Sequence, residues 1–243
     1  MGFELINRTI KSIKMPLEYS KTNFSNESFY RVYDSNRIKL DLQYIAMGMK
    51  NAVEECFVRH GTLKRLVHAA SLLPDGYCLV IFDAWRPFSL QEELYSFYSE
   101  TIISYYRLES EDEKLQQKII NKYVLPPVKS RRIPPVHTTG GAVDLSIMDD
   151  KGHMLDMGTR FDYFGKEAST DYYEVHQIND TIRNNRRLLY NVMISAGFTN
   201  LPSEWWHYDF GDRFWGYYTN KPSLYDGRFS LEEVYETSNG YKG

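Results

Sequence analysis

The sequence predicts one α+β or α/β domain, and three observations carry that expectation. A length of 243 residues suits a single core. Helix-period and strand-period stretches alternate along the chain, and no Pro/Gly/Ser-rich linker or internal repeat separates them. Apolar residues make up 42% and charged residues 25%, which is ordinary for a globular protein. A net charge of −3 gives no attraction toward nucleic acid or an anionic membrane, so neither is expected as a partner. No stretch approaches the ~20 apolar residues of a membrane span. The segment Met1-Gly2-Phe3-Glu4-Leu5-Ile6 lacks the basic start and long apolar run of a secretory signal. A cytoplasmic chain is therefore expected, with Cys56 and Cys78 as reduced core thiols rather than a disulfide. The 20 Tyr, 13 Phe and 4 Trp are assigned first to the core.

The chain opens with irregular, turn-rich sequence through Ser35-Asn36. Ile45, Met49, Ala52, Val53 and Phe57 then recur at helical spacing, predicting a helix over residues 40–57 that Gly61 ends. Leu63, Leu66, Val67, Ala70 and Leu73 predict a second helix, closed by the Pro74-Asp75-Gly76 turn. The short apolar run Tyr77 to Phe82 reads as a buried strand. It leads into Asp83-Ala84-Trp85-Arg86-Pro87 and a helix from Ser89 to Tyr106, which places Arg86 at a strand-to-helix junction. A further helical stretch runs from Glu109 through Tyr123. Leu125-Pro126-Pro127 and Ile133-Pro134-Pro135 follow as loops, because residues before proline avoid the helical region. Ala142 to Met148 alternates as a strand, with Asp149-Asp150-Lys151-Gly152 as its turn. Thr181 to Ala196 is the clearest amphipathic helix, with Gly197 beyond its end. Trp205 to Phe210 reads as a last core strand, with Trp205, His207 and Asp209 on one face.

Two segments carry chemistry. His137-Thr138-Thr139-Gly140-Gly141-Ala142-Val143-Asp144 sets an imidazole and a carboxylate seven residues apart across two glycines, whose freedom lets the backbone reverse sharply. Glu204-Trp205-Trp206-His207 pairs a carboxylate with an imidazole three residues apart in an aromatic stretch. His137, Asp144 and His207 supply three metal ligands and Glu204 remains for proton transfer, the inventory of a mononuclear zinc hydrolase. Each motif alone is short enough to arise as a turn histidine, a strand-start aspartate or a loop glutamate. A shared site further requires Glu204 to lie in a loop or bulge before the strand, because residues three apart in a strand face opposite sides. Arg86 serves either as an anchor for Asp83 or as a fixed donor to a developing oxyanion. Asp162 is either a turn residue or the partner of a substrate ammonium. His60, His68, His153 and His176 have no companions at ligand spacing.

In order and spacing, Asp83-Ala84-Trp85-Arg86-Pro87, His137-x-x-Gly140-x-Ala142-x-Asp144, Met157-Gly158-Thr159-Arg160-Phe161-Asp162 and Glu204-Trp205-Trp206-His207 resemble the VanX-type D-alanyl-D-alanine dipeptidases. A weaker likeness at Tyr19-x-x-x-Asn23-Phe24 extends the family-like core over about 19–210 of a single 1–243 domain, leaving 211–243 as a C-terminal extension. The resemblance implies an α+β fold, a small antiparallel sheet flanked by helices, shared with zinc D,D-carboxypeptidases and the hedgehog domain. It implies one zinc ion per chain on His137, Asp144 and His207, Glu204 as catalytic base, Arg86 as oxyanion stabiliser, and Asp162 as the residue that recognises the free amino terminus. Pro135 and Val136 stand where resistance-associated members carry two substrate-contacting serines, and Thr138-Thr139 replaces their Ser-Arg pair.

The resulting expectation is hydrolysis of D-alanyl-D-alanine or a similar small free dipeptide, in a cell-wall role. The alternatives are a zinc peptidase acting on larger peptidoglycan stem peptides, and a non-catalytic zinc-containing binding protein. Glu204 and Arg86 argue against the last, since a structural metal needs neither. Nothing in the sequence sets an oligomeric state.

Overall fold

The structure, a computed structural model, describes residues 2–121, 124 and 126–238. Its centre is a five-stranded sheet in the order β2-β4-β5-β7-β6, formed by β2 (Ile38–Leu40), β4 (Cys78–Asp83), β5 (Ala142–Met148), β6 (Thr199–Asn200) and β7 (His207–Asp209). The β2/β4 pair is parallel and every other pair in this sheet is antiparallel. A separate antiparallel ribbon joins β1 (Phe29–Val32) to β3 (Cys56–Arg59). With its flanking helices this is the α+β arrangement expected.

Alternation along β5 sets the two sides of the sheet. Val143, Leu145 and Ile147 are fully buried and join Leu79 and Ile81 of β4 in the main core, together with Leu66 and Ala69 of α2 (His60–Leu72) and Leu189 and Val192 of α6 (Asp180–Ser195). Asp144 and Ser146 take the opposite side. There α3 (Phe88–Tyr106) packs Leu90, Leu94 and Tyr98 against Tyr44 of the short α1 (Gln43–Ala46). Among the described residues no helix is long and apolar enough to cross a membrane. Cys56 and Cys78 are free and buried, as anticipated.

The strongly periodic elements form where the pattern places them. α6 starts one residue early, capped by Asn179 accepting from the Ile182 amide, and Gly197 follows it at φ 95°. α3 and β4 match to within a residue or two, and β5 matches outright. α4 (Glu113–Ile120) begins later than the charge pattern implies, at the Asp112 cap, and the expected end at 123 lies outside the described residues.

Two expectations fail. The helix over 40–57 shrinks to α1, because Gly48 takes φ 74° and Cys56–Arg59 instead pairs with β1, burying all four residues. Cross-strand burial overrides the local 3.6-residue period there. Gly61 sits in the first turn of α2 rather than ending a helix. A Cβ on it would lie 2.5 Å from the Tyr225 hydroxyl. The last strand also shortens to His207–Asp209, with Trp205 and Trp206 in a turn before it. Past β7 the chain forms α7 (Arg213–Thr219), capped by Asp212, and α8 (Leu231–Glu236), capped by Ser230.

Candidate metal centre

Three adjacent strands assemble the floor of the site. Asp83 of β4 lies opposite Asp144 of β5, and Asp144 lies opposite His207 of β7. Directly opposed residues of antiparallel strands share a face, so one transverse row carries all three side chains. The β4/β5 match depends on a bulge between Ile81 and Asp83. In an unbulged ladder Phe82 would oppose Asp144, and Asp83 would oppose Val143.

His137 enters from a single 3-10 turn, Val136–Thr139. Gly140 leaves that turn at φ 71°, where a Cβ would come within 2.3 Å of the Phe29 ring. The reversal brings His137 Nε2 to 3.4 Å from Asp144 Oδ2 and 3.2 Å from His207 Nδ1, while His207 Nδ1 lies 2.9 Å from Asp144 Oδ1. The three residues are 2–4% exposed, and their ligand atoms all lie within 4.8 Å of one another.

The outer hydrogen bonds settle what these atoms offer. His137 Nδ1 lies 2.8 Å from the Ala84 carbonyl oxygen, which can only accept, so Nδ1 carries the proton. His207 Nε2 lies 2.8 Å from Asp209 Oδ1 and donates to it. Both inward nitrogens then present lone pairs to each other and to a carboxylate. Three acceptors with no donor among them converge in a buried space, an arrangement that a cation or extra proton between them stabilises. Metal bonds of about 2.0–2.1 Å at tetrahedral angles place ligands ~3.3 Å apart, close to the separations seen here. Two imidazoles and a carboxylate suit zinc, and outward bonds to a carbonyl and a carboxylate orient the rings.

Asp83, expected only as the carboxylate that Arg86 anchors, does more. Its Oδ2 is 2.8 Å from Arg86 Nε and 3.2 Å from His137 Nδ1, so one carboxylate steadies both groups. Arg86 also reaches Asp144 Oδ2 at 3.4 Å, and its guanidinium lies 5.1 Å from the Tyr44 ring centre. Burial works against the Arg86 charge, but Asp83, Tyr44 and Asp144 raise its pKa above the ordinary value, so it stays cationic. Burial would likewise raise Asp144, yet His137 and His207 hold it well below the usual carboxylate range.

The turn before β7 meets the geometric condition on Glu204. The His207 amide donates to the Glu204 carbonyl at 3.3 Å, and Asn200 Nδ2 donates to the carbonyls of Glu204 and His207 at 3.1 and 2.9 Å. This bend places Glu204 Oε2 4.0 Å from His207 Nδ1. The Glu204 side chain keeps 36% of its surface exposed, so it stands at the mouth of the site. Its surroundings still push its pKa up to about 7, through desolvation first, with Asp144 and Asp162 adding to the rise and His207 and Arg86 opposing it. Trp205 and Trp206 pack edge to face behind it, their rings 5.3 Å apart.

Asp162 lies in the Met157–Asp162 loop, which Arg186 secures by donating to the Met157, Ser169 and Glu167 carbonyls. It takes φ 54°, and its Oδ2 accepts from Tyr44 at 2.8 Å and from Tyr98. Tyr44 thereby links it to Arg86. Burial is the main reason its pKa is pushed up to about 6.

All six predicted residues thus gather in one region: His137, Asp144 and His207 in direct contact, Arg86 and Glu204 beside them, Asp162 one tyrosine away. Asp209 was legible as the same-face neighbour of His207. Tyr44 and Tyr98 left no local signal, since they lie 118 and 64 residues from Asp162. The Thr138 and Thr139 hydroxyls turn inward, donating to the Pro135 and Val136 carbonyls at 2.7 and 2.5 Å.

Comparisons with known proteins identify the family of the chain. Residues 47–229 match the peptidase M15 family model, described as D-ala-D-ala dipeptidase. The matched stretch omits Tyr19–Phe24 and continues past Gly211 through Phe229. Three curated proteins named D-alanyl-D-alanine dipeptidase are similar. The one from Synechocystis is 29% identical over 68% of this chain and 73% of its own length. That from Escherichia coli is 28% identical over 63% and 66%, and that from Enterococcus faecalis 24% identical over 85% and 90%.

Proposed function

The chain belongs to the peptidase M15 family of D-ala-D-ala dipeptidases, and on that premise we propose that it hydrolyses D-alanyl-D-alanine or a similar small free dipeptide, with one zinc ion held by His137, Asp144 and His207. The observation that carries the reading is the convergence of two imidazole lone pairs and a carboxylate, with no donor among them, beside a glutamate and a fixed arginine. Zinc bound there supplies Lewis acidity, lowering the pKa of water from about 15.7 toward ~7 and polarising a peptide carbonyl.

The chain's own residues do the rest. Glu204 takes the proton of the attacking water and returns it to the departing amine, a task suited to a carboxylate whose pKa is pushed up to about 7. Arg86, clamped by Asp83, directs a permanent charge at the developing oxyanion. Asp162 receives the substrate ammonium, held in place by Tyr44 and Tyr98. No serine hydroxyl borders the site at Pro135 and Val136, so polar contacts to the rest of the dipeptide come from other groups.

The test incubates zinc-loaded protein with paired L,L, D,L and D,D dipeptides and with their N-acetylated forms, and measures released amino acids. Release from free D,D dipeptides alone is expected. Equal cleavage of blocked dipeptides or of whole muropeptides would instead favour the stem-peptide reading, and no release from any of them would remove the enzyme assignment.

A further inference from the structure

The C-terminal segment Asp226–Phe229 lies far along the chain from the site, yet it touches both loops that carry site residues. The Arg228 amide donates to the Thr138 carbonyl at 2.8 Å, next to the ligand His137. The Arg228 carbonyl accepts the Trp85 indole N–H at 2.9 Å, next to Arg86. Phe229 extends the contact by accepting the Phe88 amide at 2.9 Å, where α3 begins. Asp226 is held by the fully buried Arg59, whose guanidinium also donates to the Thr139 carbonyl at 2.9 Å and the Glu27 carbonyl at 2.6 Å. Trp85 itself is 2% exposed and meets Phe29 and Phe57 edge to face.

Neither loop is part of the sheet ladder. Besides the direct bond from His137 Nδ1 to the Ala84 carbonyl, the main chain of the His137 turn accepts from Arg59 and Arg228, and Trp85 of the 84–87 loop donates to the Phe57 and Arg228 carbonyls. We propose that Asp226–Phe229 is a positioning strap for the site, with the Arg228 main chain reinforcing the His137–Ala84 bond in fixing the separation between the His137 turn and the Arg86 loop. The strap deepens the reading above, since it rests on His137 and Arg86 acting as described there. A displacement of about 1 Å in such a constellation can cost ~10²-fold in rate, so residues that only fix spacing matter to function.

Two substitutions address its two sides in the full-length chain. A Cβ added at Gly227 would lie 2.8 Å from Pro134 Cβ and 2.9 Å from Phe229 Cε1. Gly227→Ala therefore pushes the strap off the loop that leads into His137. Trp85→Phe removes the indole donor and keeps the buried ring. Chelator competition measures zinc affinity, dipeptide turnover measures kcat and KM per zinc-loaded site, and thermal melting measures folding. Gly227→Ala is expected to weaken zinc binding roughly 10-fold, and Trp85→Phe to lower kcat about 10-fold with KM and zinc affinity nearly unchanged. Val192→Ala, a core truncation in α6, serves as a control that destabilises without touching the strap. If Trp85→Phe and Gly227→Ala keep wild-type zinc affinity and kcat, or if Val192→Ala shifts both equally, the strap is structural packing and the proposal is wrong. Should Gly227→Ala not fold, Trp85→Phe alone decides. A wild-type chain that binds no zinc or cleaves no dipeptide would overturn the functional reading instead, before any variant is compared.

Discussion

The sheet-borne and loop-borne halves of the site differ in burial and in charge. Asp83, Asp144 and His207 stand in one row across β4, β5 and β7, all under 10% exposed, and their partners hold Asp144 strongly ionised. Glu204 and Asp162 sit on a turn and a loop, and their carboxyls are pushed up to about 7 and about 6. Fixed strand geometry suits atoms that must hold a cation at constant spacing. A looser, partly desolvated setting suits groups that must exchange a proton or meet a substrate charge. His137 belongs to a loop by backbone but to the sheet by function, which is why its turn needs so many outside hydrogen bonds.

The largest expected effect breaks the sheet half. His207→Ala should leave no metal after dialysis and no measurable turnover, with metal content and dipeptide release as the two readouts. Next, Glu204→Ala should retain zinc and lose about 10²–10⁴-fold in kcat. Appreciable turnover in that variant, free of wild-type protein, would remove Glu204 as base. Arg86→Lys should cost on the order of 10²–10³ in rate, since an ammonium cannot keep both the Asp83 clamp and the outward donor.

A smaller effect separates the two loop carboxylates by pH. Glu204 works as a base only when ionised, so kcat/KM should fall as pH drops through about 7. Asp162 must be ionised to bind an ammonium, so KM for free dipeptides should rise as pH drops through about 6. The folded state binds the Asp162 proton more tightly than the unfolded chain does. Its contribution to stability is thus full below the unfolded carboxyl pKa and lost as pH rises through about 6. Asp162→Asn should therefore raise the melting temperature above that pH while weakening dipeptide binding. A variant that melts lower at every pH would contradict this. Smallest of all, Asn200→Ala should cost about 1 kcal/mol in urea unfolding by removing its bonds to the Glu204 and His207 carbonyls, which keep the His207 and Leu201 amides as donors.

Much of the site was legible because its spacing is local. The two glycines after His137 announce the reversal that returns the chain to Asp144. The requirement that Glu204 precede the strand followed from strand alternation alone and is met by the turn over Glu204–His207. Asp209 was placed beside His207 by the same alternation, though its bond to Nε2 was not foreseen. The double role of Asp83 was not legible, because the bulge at Phe82 that aims it at Asp144 leaves no mark in composition or period.

From the sequence alone came α2, α3, α6, β4 and β5, the three candidate ligands and the leftover glutamate, all patterns contained within a short window of chain. Tertiary structure decided the rest. It made Phe57 a strand residue rather than a helical one, because pairing with β1 buried it more completely. It brought Tyr44 and Tyr98 to Asp162, and Arg228 to the two loops that carry His137 and Arg86. Those choices depend on which distant surfaces pack together, and burial between residues a hundred positions apart is invisible to any local period.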